Sequence, residues 1–113
     1  KLMTENIKDT ALSYFKKFSE KNIDGLREMF DDNVTLRDWD IDKKGIESVL
    51  KANLNIFQNV KTINAIPQNI ISGNNFVFAE LKIFVNDNDE LKVVDLIEFN
   101  KKGKIISIKA FKG

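Results

Sequence analysis

The chain contains no histidine and no cysteine, and these two absences exclude whole mechanisms. Without histidine there is no Ser-His-Asp or Cys-His nucleophile system, no His-ligated zinc and no imidazole base. Any acid–base work therefore falls to Asp, Glu, Tyr or Lys. Without cysteine there is no disulfide, which fits a reducing compartment. The single proline and five glycines leave no linker, repeat or low-complexity tract, and no Gly-rich phosphate loop. No apolar run approaches a membrane span, and the N-terminus has no apolar stretch of the secretory kind, so the expected location is cytoplasmic. Met3 is a plausible start, and Lys1 and Leu2 are given no functional weight. Charge of one sign is also missing: 18 Lys and Arg face 17 Asp and Glu, a net charge of +1. That balance gives no electrostatic reason to expect nucleic acid or an anionic membrane as partner.

What is present is one domain of 113 residues, which should bury roughly two thirds of its unfolded surface around a single core. Ile7, Ala11, Tyr14, Phe15 and Phe18 recur at helical spacing after Thr4, which is suited to an N-cap. A shorter helix follows Asp24 with Leu26, Met29 and Phe30 inward, and Val34 to Asp38 alternates as a strand. Beyond the charged connection Asp40 to Lys44, a third helix carries the stripe Ile46, Val49, Leu50, Asn53, Leu54 and Phe57. From Val60 onward the period changes to that of consecutive strands, broken at Ser72-Gly73-Asn74, Asn86 to Asp89 and Asn100 to Lys104. Pro67 suits an edge strand or a bulge. Phe76 to Val85 is apolar on both faces: Val77, Ala79, Leu81, Ile83 and Val85 on one, Phe76, Phe78 and Phe84 on the other. If the helices cover one face, a second copy of the chain is expected to cover the other, giving a homodimer. Helices followed by an antiparallel meander predict an α+β domain whose curved sheet folds over its helices.

Three ionisable side chains stand where this pattern calls for hydrocarbon. Tyr14 lies on the apolar stripe of the first helix, and Asp38 shares a strand face with Val34 and Leu36. Asp95 stands in the row Leu91, Val93, Asp95, Ile97, Phe99, otherwise wholly apolar. A carboxyl buried without a cationic partner tends to keep its proton, and such perturbed groups concentrate at active sites. Two acids and a phenol aimed into one apolar space suggest enolate chemistry.

Each residue also has a plainer reading. Asp38 could be a strand-end carboxylate bonded to loop amides, Asp95 a cross-strand partner of Lys82, and Tyr14 an amphipathic packing residue. Asp38, Asp40 and Asp42 have the alternate spacing that opens a calcium loop, but Lys43 stands where the sharp turn needs Gly and Val49 where a bidentate Glu is required. No metal site is expected. Lys101, Lys102 and Lys104 lack interleaved aromatics and read as a solvated turn.

The run YFKKFSEKNIDGLREMFDDNVTLRD, Tyr14 to Asp38, resembles the N-terminal region of the ketosteroid isomerases, and LKVVDLIEFNKKGKI resembles their late hairpin. These enzymes belong to the superfamily of nuclear-transport-factor-2-like and SnoaL-like proteins. The resemblance implies a strongly curved antiparallel sheet around the helices, a cystatin-like cone, and a reaction needing no cofactor. It places Tyr14 on the oxyanion-hole tyrosine, Asp38 on the catalytic base, and Asp95 on the protonated acid that shares the oxyanion hole. Walls of Phe, Ile, Leu and Val suit a small apolar ketone-like substrate, expected to be held by Phe18, Phe30, Trp39, Asn53, Val93 and Ile97, with Trp39 either rimming the pocket or contacting another subunit. Phe30 and Asn53 depart from the pattern by replacing tyrosines behind Tyr14, Lys112 replaces a pocket aromatic, and Trp39 replaces a proline. The expected chemistry is an isomerase that moves a proton next to a ketone. The alternatives are a SnoaL-like cyclase closing a ring by intramolecular aldol, and a non-catalytic module that holds a small ligand or only dimerises.

Overall fold

A computed structural model describes residues 2–113, with side chains from residue 7 onward. The elements run α1 (Leu2–Ser19), α2 (Ile23–Met29), β1 (Phe30–Arg37), β2 (Asp42–Lys44), α3 (Ile46–Asn59), β3 (Ile63–Ser72), β4 (Phe76–Val85), β5 (Asp89–Phe99) and β6 (Ile105–Lys112). The side chain of Thr4, expected as a cap, lies outside the described residues, and α1 itself starts at Leu2. All six strands form one sheet of order β2-β1-β6-β5-β4-β3. Neighbours are antiparallel except β1 and β6, which run parallel, so the sheet is mixed. The exception has a topological cause: the chain leaves β1, crosses through α3 and the whole meander, and returns beside β1 in the same direction.

The sheet is curved and unclosed. Its register shifts between Phe30 and Thr35 on β1, between Pro67 and Asn69 on β3, and between Glu98 and Phe99 on β5. Each such irregularity bends and further twists its strand. Pro67 sits at one of them, on an edge strand, where a residue without an N–H interrupts no interior ladder. Two sequence expectations change in detail. Phe30 opens β1 and does not belong to α2, and the charged connection after Asp38 folds back as the exposed strand β2, tied by Arg37 Nη1 to Asp42 Oδ2 at 2.8 Å. On α3, Leu54 is exposed and the buried stripe is Val49, Leu50, Asn53 and Phe57.

The helices lie on the concave face. The α1 C-terminus is fixed to β3 through Ser19, whose hydroxyl donates to the Phe15 carbonyl at 2.8 Å and accepts from the Ala65 N–H at 2.9 Å. Lys21, in the left-handed conformation at φ 58° just past α1, donates to the Val60 carbonyl at 2.8 Å. Ile7, Ala11, Phe15, Leu26, Val34, Val77, Ile97, Phe99 and Ile105 belong to one buried core cluster between helices and sheet. At the β4–β5 hairpin Asn86 and Asp87 both take positive φ, at 54° and 62°, and Gly103 does so in the β5–β6 turn at 81°. The convex face has no cover in the single chain: Ile66, Ile71, Phe78, Val94 and Phe111 are exposed there. No described helix is long and apolar enough to cross a membrane.

Candidate active site

Side chains from α1, α3, the loop after β1 and the concave face of the sheet line a cavity of about 270 Å³. Its walls are mostly hydrocarbon, from residues such as Phe15, Leu36, Ile56, Ile63, Leu81 and Ile108. Four of its polar side chains, Tyr14, Asp38, Asn53 and Asp95, come from four different parts of the chain.

Tyr14 is buried in α1 and held by a cluster of rings, with centroids 5.4 Å from Phe15 and 6.2 Å from both Phe18 and Phe30. Among the described residues its hydroxyl has no hydrogen-bond partner. Burial, with the nearby Asp95 charge second, pushes the phenol well above its ordinary range. Tyr14 can therefore donate a proton in a hydrogen bond but does not give it up near neutral pH.

Asp95 occupies the middle of β5 and is 7% exposed. Its cross-strand neighbours are Ala79 on β4 and Ala110 on β6, both small, so the carboxyl has open space above it in place of a packed wall. The register pairs Lys82 with Lys92 on the opposite face, which rules out the Lys82 ion pair. With no hydrogen bond or ion pair to any described residue, the carboxyl is pushed up to about 7, mainly by burial and secondarily by the Asp38 charge. It is a weak acid poised near neutrality.

Asp38 follows the last residue of β1 and is half-buried. One carboxylate oxygen, Oδ1, accepts the N–H groups of Asp40 at 2.7 Å and Ile41 at 2.6 Å, while the Asp38 N–H donates to the Ile41 carbonyl at 2.9 Å. The plain reading of this residue is thus correct for one of its oxygens: Asp38 folds its own loop. The other oxygen, Oδ2, has no partner among the described residues. The loop that Oδ1 organises holds the carboxylate at the cavity wall, so the two roles are compatible.

Of the residues expected to hold a substrate, Phe18, Trp39, Asn53 and Val93 line the cavity. Phe30 and Ile97 do not; Phe30 stands beside the Tyr14 ring, and Ile97 is sealed in the core. Asn53 is 2% exposed, and its Oδ1 is buried without a hydrogen bond, which costs roughly 1–3 kcal/mol. Trp39 is 48% exposed at the mouth, with Lys112 Nζ 5.1 Å from its ring centroid. Lys112 accordingly clasps the rim and does not line the cavity. Sequence reasoning missed Ala110, although the register fixed by the Asn100–Lys104 turn sets it opposite Asp95. Asp42 of the calcium-like spacing is turned to Arg37, and among the described residues no three His, Cys, Asp or Glu side chains cluster as metal ligands.

No family model matches the chain, and no curated protein matches it in sequence. Solved structures do share its fold. A candidate SnoaL-like polyketide cyclase from Jannaschia superposes with a TM-score of 0.87 at 14% identity, over 99% of this chain and 88% of that one. A candidate ketosteroid isomerase from Kribbella flavida gives 0.80 at 13%, over 97% and 79%. The epoxide hydrolase/cyclase-like enzyme SalBIII, of pyran ring formation in the polyether salinomycin, gives 0.78 at 22%, over 96% and 92%.

Proposed function

We propose that the protein is a cofactor-free acid–base catalyst that shifts a proton next to a ketone. The observation that carries this reading is Asp95: a buried carboxyl without a partner among the described residues, held near pKa 7 beside a cavity that also receives Tyr14 and Asp38. Asp38 takes a proton from the carbon next to the carbonyl. The C–H electron pair moves into the enolate, and negative charge develops on oxygen. Tyr14 and protonated Asp95 donate hydrogen bonds to that oxygen, and Asp38 returns the proton to the vinylogous carbon. One base serves both transfers, and no electron leaves the substrate. The apolar walls suit a hydrocarbon-rich ketone, and the volume lies just below the roughly 300–1,000 Å³ typical of drug-sized ligands.

The same three groups would serve an intramolecular aldol, in which the enolate attacks a second carbonyl of its own molecule; the cyclase-named structures of like fold favour keeping this second reading. The experiment is conversion of cyclic β,γ-unsaturated ketones of increasing ring number to their conjugated isomers, followed by ultraviolet absorbance, with deuterium uptake from heavy water as a parallel signal. Turnover that is lost in Asp38→Asn supports the reading. Absence of isomerisation and of deuterium uptake across the series, with ligands still bound in the cavity, overturns it in favour of a binding module.

A further inference from the structure

Asn53 has no role in the proton transfer, yet it is the residue of the cavity hardest to explain by folding. It lies on the buried stripe of α3 between Leu50 and Phe57, where the neighbouring turns supply hydrocarbon. An asparagine in a helix interior is a poor helix former unless its side chain finds a partner. Here the side chain finds none: Asn53 makes no hydrogen bond to a described residue, and its Oδ1 is fully occluded. A leucine at the same position would complete the apolar wall at similar volume. The carboxamide nevertheless borders the same cavity as Tyr14, Asp38 and Asp95. Its terminal torsion is broad and nearly two-fold, so either the oxygen or the NH₂ can turn to the cavity. One side chain thereby offers either an acceptor or two donors to whatever fills the space.

We propose that Asn53 reads a second polar substituent of the substrate, a hydroxyl or a group with equivalent donor and acceptor character, making the substrate a compact hydroxylated ketone and not a purely hydrocarbon one. The inference rests on the proposed function for the ketone, but not for the hydroxyl. Hydrogen-bonding sites of this kind discriminate strongly, because an analogue without the hydroxyl leaves the amide buried and unpaired. The apolar lining of the cavity sets the skeleton, while Asn53 sets which position on that skeleton carries oxygen.

The test uses 2-naphthol as the enolate mimic and naphthalenediols bearing a further hydroxyl on the distal ring. Affinities are measured by calorimetry and by the emission of Trp39, the sole tryptophan. With the unmodified chain at least one diol should bind about tenfold more tightly than 2-naphthol, the size of one net hydrogen bond. In Asn53→Leu that ratio should fall to near one, and the unliganded variant should melt no lower than the parent. The proposal is overturned if no diol binds better than 2-naphthol, if Asn53→Leu keeps the ratio, or if the variant weakens both ligands equally. It is also overturned if the variant melts several degrees lower, which would make the amide a structural group. Tyr14→Phe and Asp95→Leu test the enolate reading separately, through 2-naphthol alone. Their lack of effect with an Asn53-dependent diol ratio would remove the ketone chemistry and leave the hydroxyl site standing.

Discussion

Replacing Asp95 by asparagine should remove a pH-dependent loss of stability that the native carboxyl imposes on the fold. The folded carboxyl titrates near 7 against an ordinary value of 3.8, because burial first and the Asp38 charge second disfavour its ionised form. Between those two values the unfolded chain has released the proton while the folded chain still holds it. Fewer protons are bound in the unfolded state, so stability falls as pH rises through this window. The contribution is intact below about pH 4, declines across the window, and levels off above about pH 7. At about 1.36 kcal/mol for each pH unit separating the two values, the total loss is on the order of 4 kcal/mol. Against a typical domain stability of about 5–15 kcal/mol, this is a large term. Asparagine keeps the shape between Ala79 and Ala110 but has nothing to ionise. Urea denaturation at pH 4.5 and pH 8, followed by Trp39 emission and circular dichroism, gives the comparison. The parent should lose stability relative to Asp95→Asn by a midpoint difference of about 1–3 M urea, for slopes of about 1–3 kcal/mol per molar. Groups that do not interact with Asp95 contribute equally to both proteins and cancel in the difference. A pH dependence identical in the two, or a parent that gains stability relative to the variant as pH rises, would refute the account of Asp95 as a desolvated acid.

The candidate site was legible in the sequence wherever chemistry contradicted periodicity. Asp95 stood out because a strand repeats every two residues and its row from Leu91 to Phe99 is otherwise hydrocarbon. Tyr14 was visible by the same logic on a helix, and Phe30, which the resemblance set behind it, stands beside its ring, but as the first residue of β1 and not as part of α2. Asp38 was half legible: its loop-forming bonds follow from local Asp chemistry, whereas its place at the cavity wall depends on the parallel pairing of β1 with β6, a long-range contact that no local pattern encodes. The strand β2 was missed because Asp42, Lys43 and Lys44 are all exposed, so hydrophobic alternation has nothing to act on. Leu54 was misplaced for a related reason. A stripe read at 3.6 residues per turn does not say how wide the neighbouring surface is, and the concave face accepts Asn53 and Phe57 while leaving Leu54 outside.

Asp38→Asn should lower turnover of any active ketone by about 10²-fold to 10⁴-fold with little change in melting temperature, since the amide oxygen can still accept from Asp40 and Ile41. The same substitution removes the charge that helps raise Asp95, so carboxyl-selective NMR should find Asp95 titrating lower than in the parent. The kcat/KM profile should decline above about pH 7 as Asp95 ionises and ceases to donate, and Asp95→Asn should abolish that limb; an unchanged limb would assign it to another group. The last prediction concerns the convex face, where Ile71 is 68% exposed with Phe78 paired beside it, and Phe111 is exposed two strands beyond Phe78 on the same face. A two-fold axis through this face would bring each of these side chains against its counterpart or a close neighbour, so one substitution enters the interface twice. Phe78→Lys therefore adds two cations to a contact that must otherwise exclude water from about 800 Å² on each chain. Sedimentation should show the parent as a dimer at tens of micromolar and Phe78→Lys as a monomer with unchanged circular dichroism. A monomeric parent would overturn the dimer while leaving the cavity chemistry untouched, because Tyr14, Asp38 and Asp95 reach the cavity from the same chain.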